Sequence, residues 1–366
     1  MSCDINICRR CILNLTPYVP GKPIEEVKRE LGIDDIVKLA SNENPLGPSP
    51  KAIEAITNAL PDIGLYPEGS CFELRNAVAK YLNVDNNMLI FGAGADEVIH
   101  FIGIALLEEG DEIVQADPTF VQYKAAATLM DCPTISVPLK NWTTDLDGML
   151  SKVNEKTKLF FITNPNNPTG TIVDPDSVQK VLESLPERCL LILDEAYYEY
   201  VDDPGYSRAI EWIKEDKNVI ALRTFSKIYA LAGLRIGYGI APKRIIDHLE
   251  RVRGPFNVSS IAQIGALASL NDPSQIERTK KLNDESKKYF YRELENMGID
   301  YTPTQANFLW IDCGKNCKEV FNDLLKLGVI VRTGDIFGFP THIRVTTGTK
   351  EQNERFIESF KKVLAK

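Results

Sequence analysis

The residues able to do chemistry fall in a few short motifs. Residues 223–239, RTFSKIYALAGLRIGYG, hold one lysine, Lys227, between Ser226 and an apolar turn, with Arg235 eight residues on. Burying an ammonium is costly, and burial lowers its pKa, so the neutral amine becomes available to attack a carbonyl. A surface lysine ahead of a helix is the plain alternative, since most lysines are solvated. The groups such an amine would need lie upstream. LILDEAYYEY ends an apolar run on Asp194, with Tyr197 three residues later. A carboxylate ending a buried strand is costly unless a cation meets it. It suits a protonated ring nitrogen, with Tyr197 donating to a phenolate-like oxygen; a helix N-cap explains the aspartate equally well.

Three further motifs bear on anions. In FGAGADEVIHFIGIAL, Gly92 and Gly94 allow a tight turn after a strand, and a helix starts near Asp96. Free backbone N–H groups at a helix start form an anion site. In TNPNNPTGTIV, Asn166 and Asn167 offer amide donors beside prolines that fix the backbone, although turn chemistry alone accounts for the composition. In VIVRTG and HIRVTTG, Arg332 and Arg344 lie in apolar strands. Arginine reads carboxylate or phosphate through paired N–H groups; structural ion pairs would also place it there. Taken together, an amine, a carboxylate for a ring nitrogen, an anion-binding helix start and a carboxylate-reading arginine describe a pyridoxal 5′-phosphate (PLP) site.

The elements that must position these groups follow from the hydrophobic pattern. A chain of 366 residues buries a large core and splits into subdomains. MLIFG, EIVQA, PTISVPL, KLFFIT, CLLILD, NVIAL and IGYGI read as short strands, most of them separated by helical stretches. Such alternation predicts an α/β fold with a mostly parallel central sheet covered by helices on both faces. RTFSK then falls at a strand end, where such sheets place their ligands. Residues 1–45 read as an N-terminal arm and part of a small domain, with Tyr18 in a proline-rich extended stretch and Asn44 in the polar loop SNENP. Residues 46–252 read as the large α/β domain. Residues 253–366, with NFLWIDC, GVIVRTG and HIRVTTG as three strands, read as a smaller α+β domain.

Composition narrows the partners. A net charge of −9 argues against nucleic acid as a bulk partner. No apolar run has the length of a membrane span, and the N-terminus lacks the apolar core of a secretory signal. Eight cysteines at irregular positions fit a reducing, cytoplasmic setting. The close spacing of Cys3, Cys8 and Cys11, and of Cys313 and Cys317, does not make a metal set with only three histidines present.

On these residues the chain resembles the fold-type I, class II PLP-dependent aminotransferases, and within them the branch acting on histidinol phosphate. SNENPLGPSP, YPEGS, GAGADEVI, DPTF, NPNNPTG, DEAYYEY, RTFSKIYALAGLRIGY, NF and IRVTTGT stand in the family's order over nearly the whole chain. The resemblance implies that Lys227 binds the cofactor aldehyde, that Asp194 pairs with the pyridine nitrogen, and that Tyr197 and Asn167 face the 3′-oxygen. Phe120 in DPTF would stack on the ring, where many relatives carry tyrosine. Ala95 and Asp96 would offer backbone N–H groups to the phosphate, with Ser226 and Arg235 adding side-chain donors. Tyr66 would reach into the partner's site in a homodimer. Arg344 would hold the substrate α-carboxylate, and Tyr18, Asn44, Asn307 and Arg332 would line the substrate end, Arg332 toward a phosphate. The implied reaction is transamination between L-histidinol phosphate and 2-oxoglutarate. Aromatic amino acid transamination and threonine-phosphate decarboxylation are the alternatives on the same scaffold.

Overall fold

The computed structural model describes residues 7–17, 21–203 and 205–365. Its strands, in chain order, are β1 (Val37–Lys38), β2 (Leu89–Gly92), β3 (Glu112–Asp117), β4 (Thr134–Pro138), β5 (Thr157–Thr163), β6 (Leu190–Asp194), β7 (Val219–Thr224), β8 (Gly237–Ile240), β9 (Tyr301–Thr302), β10 (Phe308–Asp312), β11 (Val329–Ile330), β12 (Arg332–Thr333) and β13 (His342–Thr346). Seven of them form the large sheet, in the order β2-β8-β7-β6-β5-β3-β4. The pairs from β4 across to β7 are parallel, while β8 runs antiparallel to both β7 and β2. The mostly parallel sheet expected from the alternation is therefore present.

Successive residues of a strand point to opposite faces, and here both faces are dry. Leu191 and Phe160 belong to one hydrophobic core, while their neighbours Ile192 and Phe161 belong to the other. This explains why the central strands read as unbroken apolar runs rather than as alternating ones.

The smaller unit is built on an antiparallel sheet, β12-β13-β10-β9, and on a parallel pair between β1 and β11. Its core includes Phe290, Ile311, Val345 and Phe356, under helices Pro273–Met297 and Lys350–Leu364. The first helix opens on proline and closes on Gly298 in the left-handed region; the second starts with a capping box between Thr349 and Gln352.

Two expectations about boundaries change. The run GVIVRTG is not one strand: Val329–Ile330 pairs with β1, and Arg332–Thr333 pairs with β13. The break at Val331 lets one chain segment serve two sheets. The helix Ser260–Leu270 packs against helices Pro50–Ala59 and Phe72–Leu82, and its Ala262 and Ala266 join the core of the large sheet. Its small-residue face permits that approach, with Ile56 Cδ1 only 2.9 Å from where a Cβ on Gly265 would stand. The large unit therefore runs past residue 252 to the start of the long helix.

Candidate active site

The C-terminal ends of β3, β5, β6 and β7 open on a cavity of about 920 Å³, lined by Asp117, Thr163, Asp194 and Thr224 from those strand ends. A ligand crevice belongs there in an open α/β sheet. Lys227 follows β7 directly. Its Nζ donates to Ser41 O at 3.3 Å and sits 5.8 Å from the centre of the Tyr197 ring. Enclosure by the cavity walls, and after it the positive charge of Arg344, brings the Lys227 pKa down to about 8. The amine is thus prepared to lose its proton near neutrality.

Asp194 ends β6, as its place in LILD requires. Ala196 N donates to Oδ1 at 3.0 Å, and Oδ2 is hydrogen-bonded to Tyr123 OH at 2.5 Å. Burial pushes this carboxyl up to about 6. The loop after it is pinned by a buried ion pair. Glu195 Oε2 accepts from Arg223 Nε at 2.9 Å, and the guanidinium carbon lies 3.5 Å from the centre of the Tyr198 ring. Tyr197 OH accepts from Asn42 Nδ2 at 2.8 Å.

The helix start with the chemistry to meet an anion is that of Ala95–Leu106. Gly94 takes the N-cap position at φ 84°, and no side chain caps it. A Cβ at Gly94 would collide with the Arg235 guanidinium, whose Nη2 lies 3.2 Å from Asp96 Oδ2. Ala95, Asp96, Ser226 and Arg235 all line the cavity. Arg344 lies on β13, donating to Asn167 Oδ1 at 2.6 Å and to Ala40 O at 2.7 Å.

The cavity brings together eleven of the residues singled out in the sequence: Lys227, Asp194, Tyr197, Ala95, Asp96, Phe120, Asn167, Ser226, Arg235, Arg332 and Arg344. Three others stand outside its lining. Asn44 is turned to the backbone, donating to Ile228 O at 2.8 Å and to Thr279 Oγ1 at 3.0 Å. Asn307 is buried and donates to Asn42 O at 3.1 Å, which fixes the residue that holds Tyr197. Tyr66 is 84% exposed and stacks on Phe256 at 4.9 Å. Tyr18 lies outside the described residues. Sequence reasoning missed Tyr123, Thr119 and Thr163. The sole hint of Tyr123 was its place three residues after Phe120 in DPTFVQY.

The model of the family "Aminotransferase class I and II" matches residues 34–360. The chain belongs to this family. The aminotransferase is 49% identical, over 98% of its own length and 93% of the relative's, to histidinol-phosphate aminotransferase of Moorella thermoacetica. It is also 49% identical to the enzyme of that name from Caldicellulosiruptor saccharolyticus, over 97% and 99% of the two chains. Among solved structures it resembles histidinol-phosphate aminotransferase from Sinorhizobium meliloti, crystallised in complex with pyridoxal-5′-phosphate, with a TM-score of 0.91 and 26% identity over 98% of each chain.

Proposed function

We propose that this aminotransferase uses PLP to move the amino group of L-histidinol phosphate to 2-oxoglutarate, giving imidazole-acetol phosphate and L-glutamate in histidine biosynthesis. The observation that carries the reading is that Lys227 and Asp194 line one cavity together with Arg332, Arg344 and an uncapped helix start. The name borne by relatives at 49% identity over nearly full length supports the substrate.

The donor set fits PLP. A buried carboxyl at the end of β6 suits a pyridine nitrogen, the helix start with Arg235 and Ser226 suits a phosphate, and Phe120 offers a ring face. When bound, PLP supplies an electron sink for the carbon that bears the substrate amine. The rest falls to the chain. Lys227, with its pKa near 8, takes and returns the proton at that carbon. Asp194 holds charge opposite the ring nitrogen. Asn42 fixes the Tyr197 hydroxyl at the cavity wall, and Arg344, anchored on Asn167 and Ala40, presents its charge to the substrate anion. Arg332 adds a second positive charge, suited to the phosphate of one substrate and a carboxylate of the other.

The same reading makes the enzyme a homodimer. Ile63, Leu65, Tyr66 and Phe72 are 61, 71, 84 and 56% exposed along one stretch, and a second copy would bury them and bring Tyr66 to its partner's cavity. Among the described residues all seven cysteines are free thiols, in keeping with a cytoplasmic enzyme. Among the described residues no helix is long and apolar enough to cross a membrane. The test is 2-oxoglutarate-dependent turnover of histidinol phosphate, run beside phenylalanine and beside carbon dioxide release from threonine phosphate. Faster turnover of either alternative overturns the assignment.

A further inference from the structure

Asp194 stands at one end of a line of buried hydroxyls for which the reaction above has no use. Tyr123 OH lies 2.5 Å from Asp194 Oδ2 and 2.9 Å from Thr163 Oγ1. Thr163 Oγ1 lies 2.8 Å from Thr119 Oγ1, which lies 3.0 Å from Asn166 Oδ1. All five side chains are buried.

The far end of this line accepts only. Asn166 Nδ2 donates to Pro118 O at 3.2 Å and to Thr169 Oγ1 at 3.0 Å, and a backbone carbonyl has no proton to give back. Thr169 is free to accept there, because its own proton serves Thr171, whose hydroxyl donates to Trp142 O at 2.7 Å. A flipped amide would set oxygen against the Pro118 carbonyl. Asn166 Oδ1 therefore faces Thr119 and takes its proton.

The protons can then be counted. Three hydroxyls, each with one proton, must serve four contacts. With Asp194 ionised, both ends accept, and one contact is left as two oxygens without a hydrogen between them. A buried contact of that kind costs about as much as a lost hydrogen bond. With Asp194 protonated the line closes: Asp194 donates to Tyr123, Tyr123 to Thr163, Thr163 to Thr119 and Thr119 to Asn166.

We propose that the Tyr123–Thr163–Thr119 chain keeps a proton on Asp194 in the ligand-free enzyme, held for the basic ring nitrogen that the site takes. The recipient rests on the PLP reading; the stored proton does not. On binding, the Asp194 O–H bond breaks, an N–H bond forms on the ring nitrogen's lone pair, and the new carboxylate pairs with the cation it has made. Tyr123, Thr163 and Thr119 are positioning residues in this scheme. The acidic neighbours Asp96 and Glu195 and the burial of the site favour the protonated acid, while Ala196 N favours the ionised one.

The proton count makes an unusual forecast. Thr119→Val removes one proton and two contacts, leaving two hydroxyls for two contacts that close on an ionised Asp194. Thr163→Val also leaves every remaining contact with its proton. Both substitutions should lower the pKa of Asp194 by about one unit or more, which corresponds to one hydrogen bond. Thr119→Ser, which keeps the hydroxyl, should leave it in place. The readout is a carboxyl infrared or ¹³C-aspartate titration of the ligand-free enzyme, assigned by the signal lost in Asp194→Asn. An unchanged or raised Asp194 pKa in Thr119→Val overturns the proposal; if that variant does not fold, the same result in Thr163→Val does so. Binding of pyridoxine 5′-phosphate to the ligand-free enzyme is measured separately. Its failure, with the titration as forecast, would strike the cofactor reading alone.

Discussion

Arg332 and Arg344 are direct partners in the register of β12 and β13, and both line the cavity. Like charges in facing cross-strand positions repel. Arg344 donates to an amide oxygen, Asn167 Oδ1, and to a backbone carbonyl, Ala40 O. An anion bound in the cavity therefore meets two guanidinium groups from adjacent strands.

Arg332→Leu should raise KM for histidinol phosphate by roughly 10- to 100-fold, the worth of a charged hydrogen bond. The KM for 2-oxoglutarate should rise less and kcat should stay close to the wild-type value. Arg344→Leu should weaken both substrates. Steady-state kinetics with each substrate varied in turn decides between these patterns.

Lys227→Ala should abolish transamination and the visible absorbance of covalently held PLP. Full activity in that variant would remove the assignment. Circular dichroism should show the fold intact.

The lowered pKa of Lys227 has a consequence for stability with a definite sign. The ordinary value is 10.5 and the folded value about 8. Between these two the unfolded chain binds the proton more tightly, so stability rises with pH across that window, and below it the enclosed ammonium is a net cost. Ligand-free Lys227→Met should accordingly unfold at higher urea than ligand-free wild type at pH 7. The gap should shrink as the pH is raised toward 10. A gap that does not change with pH would count against the lowered value.

Glu195→Ala leaves the Arg223 guanidinium buried without its partner carboxylate. That should cost about 3–5 kcal/mol in urea unfolding. Because the pair pins the loop between Asp194 and Tyr197, affinity for PLP should fall as well.

Leu65→Glu places a charge in the exposed apolar stretch beside Tyr66. If the proposed homodimer uses this face, sedimentation should show the variant as a monomer at concentrations where the wild type sediments as two copies, with activity lost in proportion. A dimer of unchanged affinity would move the interface elsewhere.

Much of this was legible in the sequence because it rests on local signals. The apolar run LILD announced a strand ending on Asp194, and the order of strand, glycine turn and helix announced a helix start near Asp96. Arg332 and Arg344 stood out as charges in apolar strands. The structure adds what no local signal carries. Asn42, Asn307 and Tyr197 form one hydrogen-bonded string from residues more than a hundred positions apart. Asn44 and Asn307 have the right chemistry for ligand contacts, yet their amide nitrogens donate to backbone carbonyls, and a sequence shows an amide without showing its partner. GVIVRTG looked continuous because periodicity reports burial and says nothing about which sheet does the burying. Tyr123 was passed over because a tyrosine in a helical pattern is usually packing.

The pairing of β1 with β11 joins residues near the beginning of the chain to residues near its end, and Thr346 N donates to Leu39 O beside it at 2.9 Å. Ser41, the contact of the Lys227 amine, follows directly on that seam. β11 and β13 therefore hold in place the segment that carries the contact of Lys227. Loss of the residues from β11 onward should free that segment and at the same time remove Arg332 and Arg344 from the cavity.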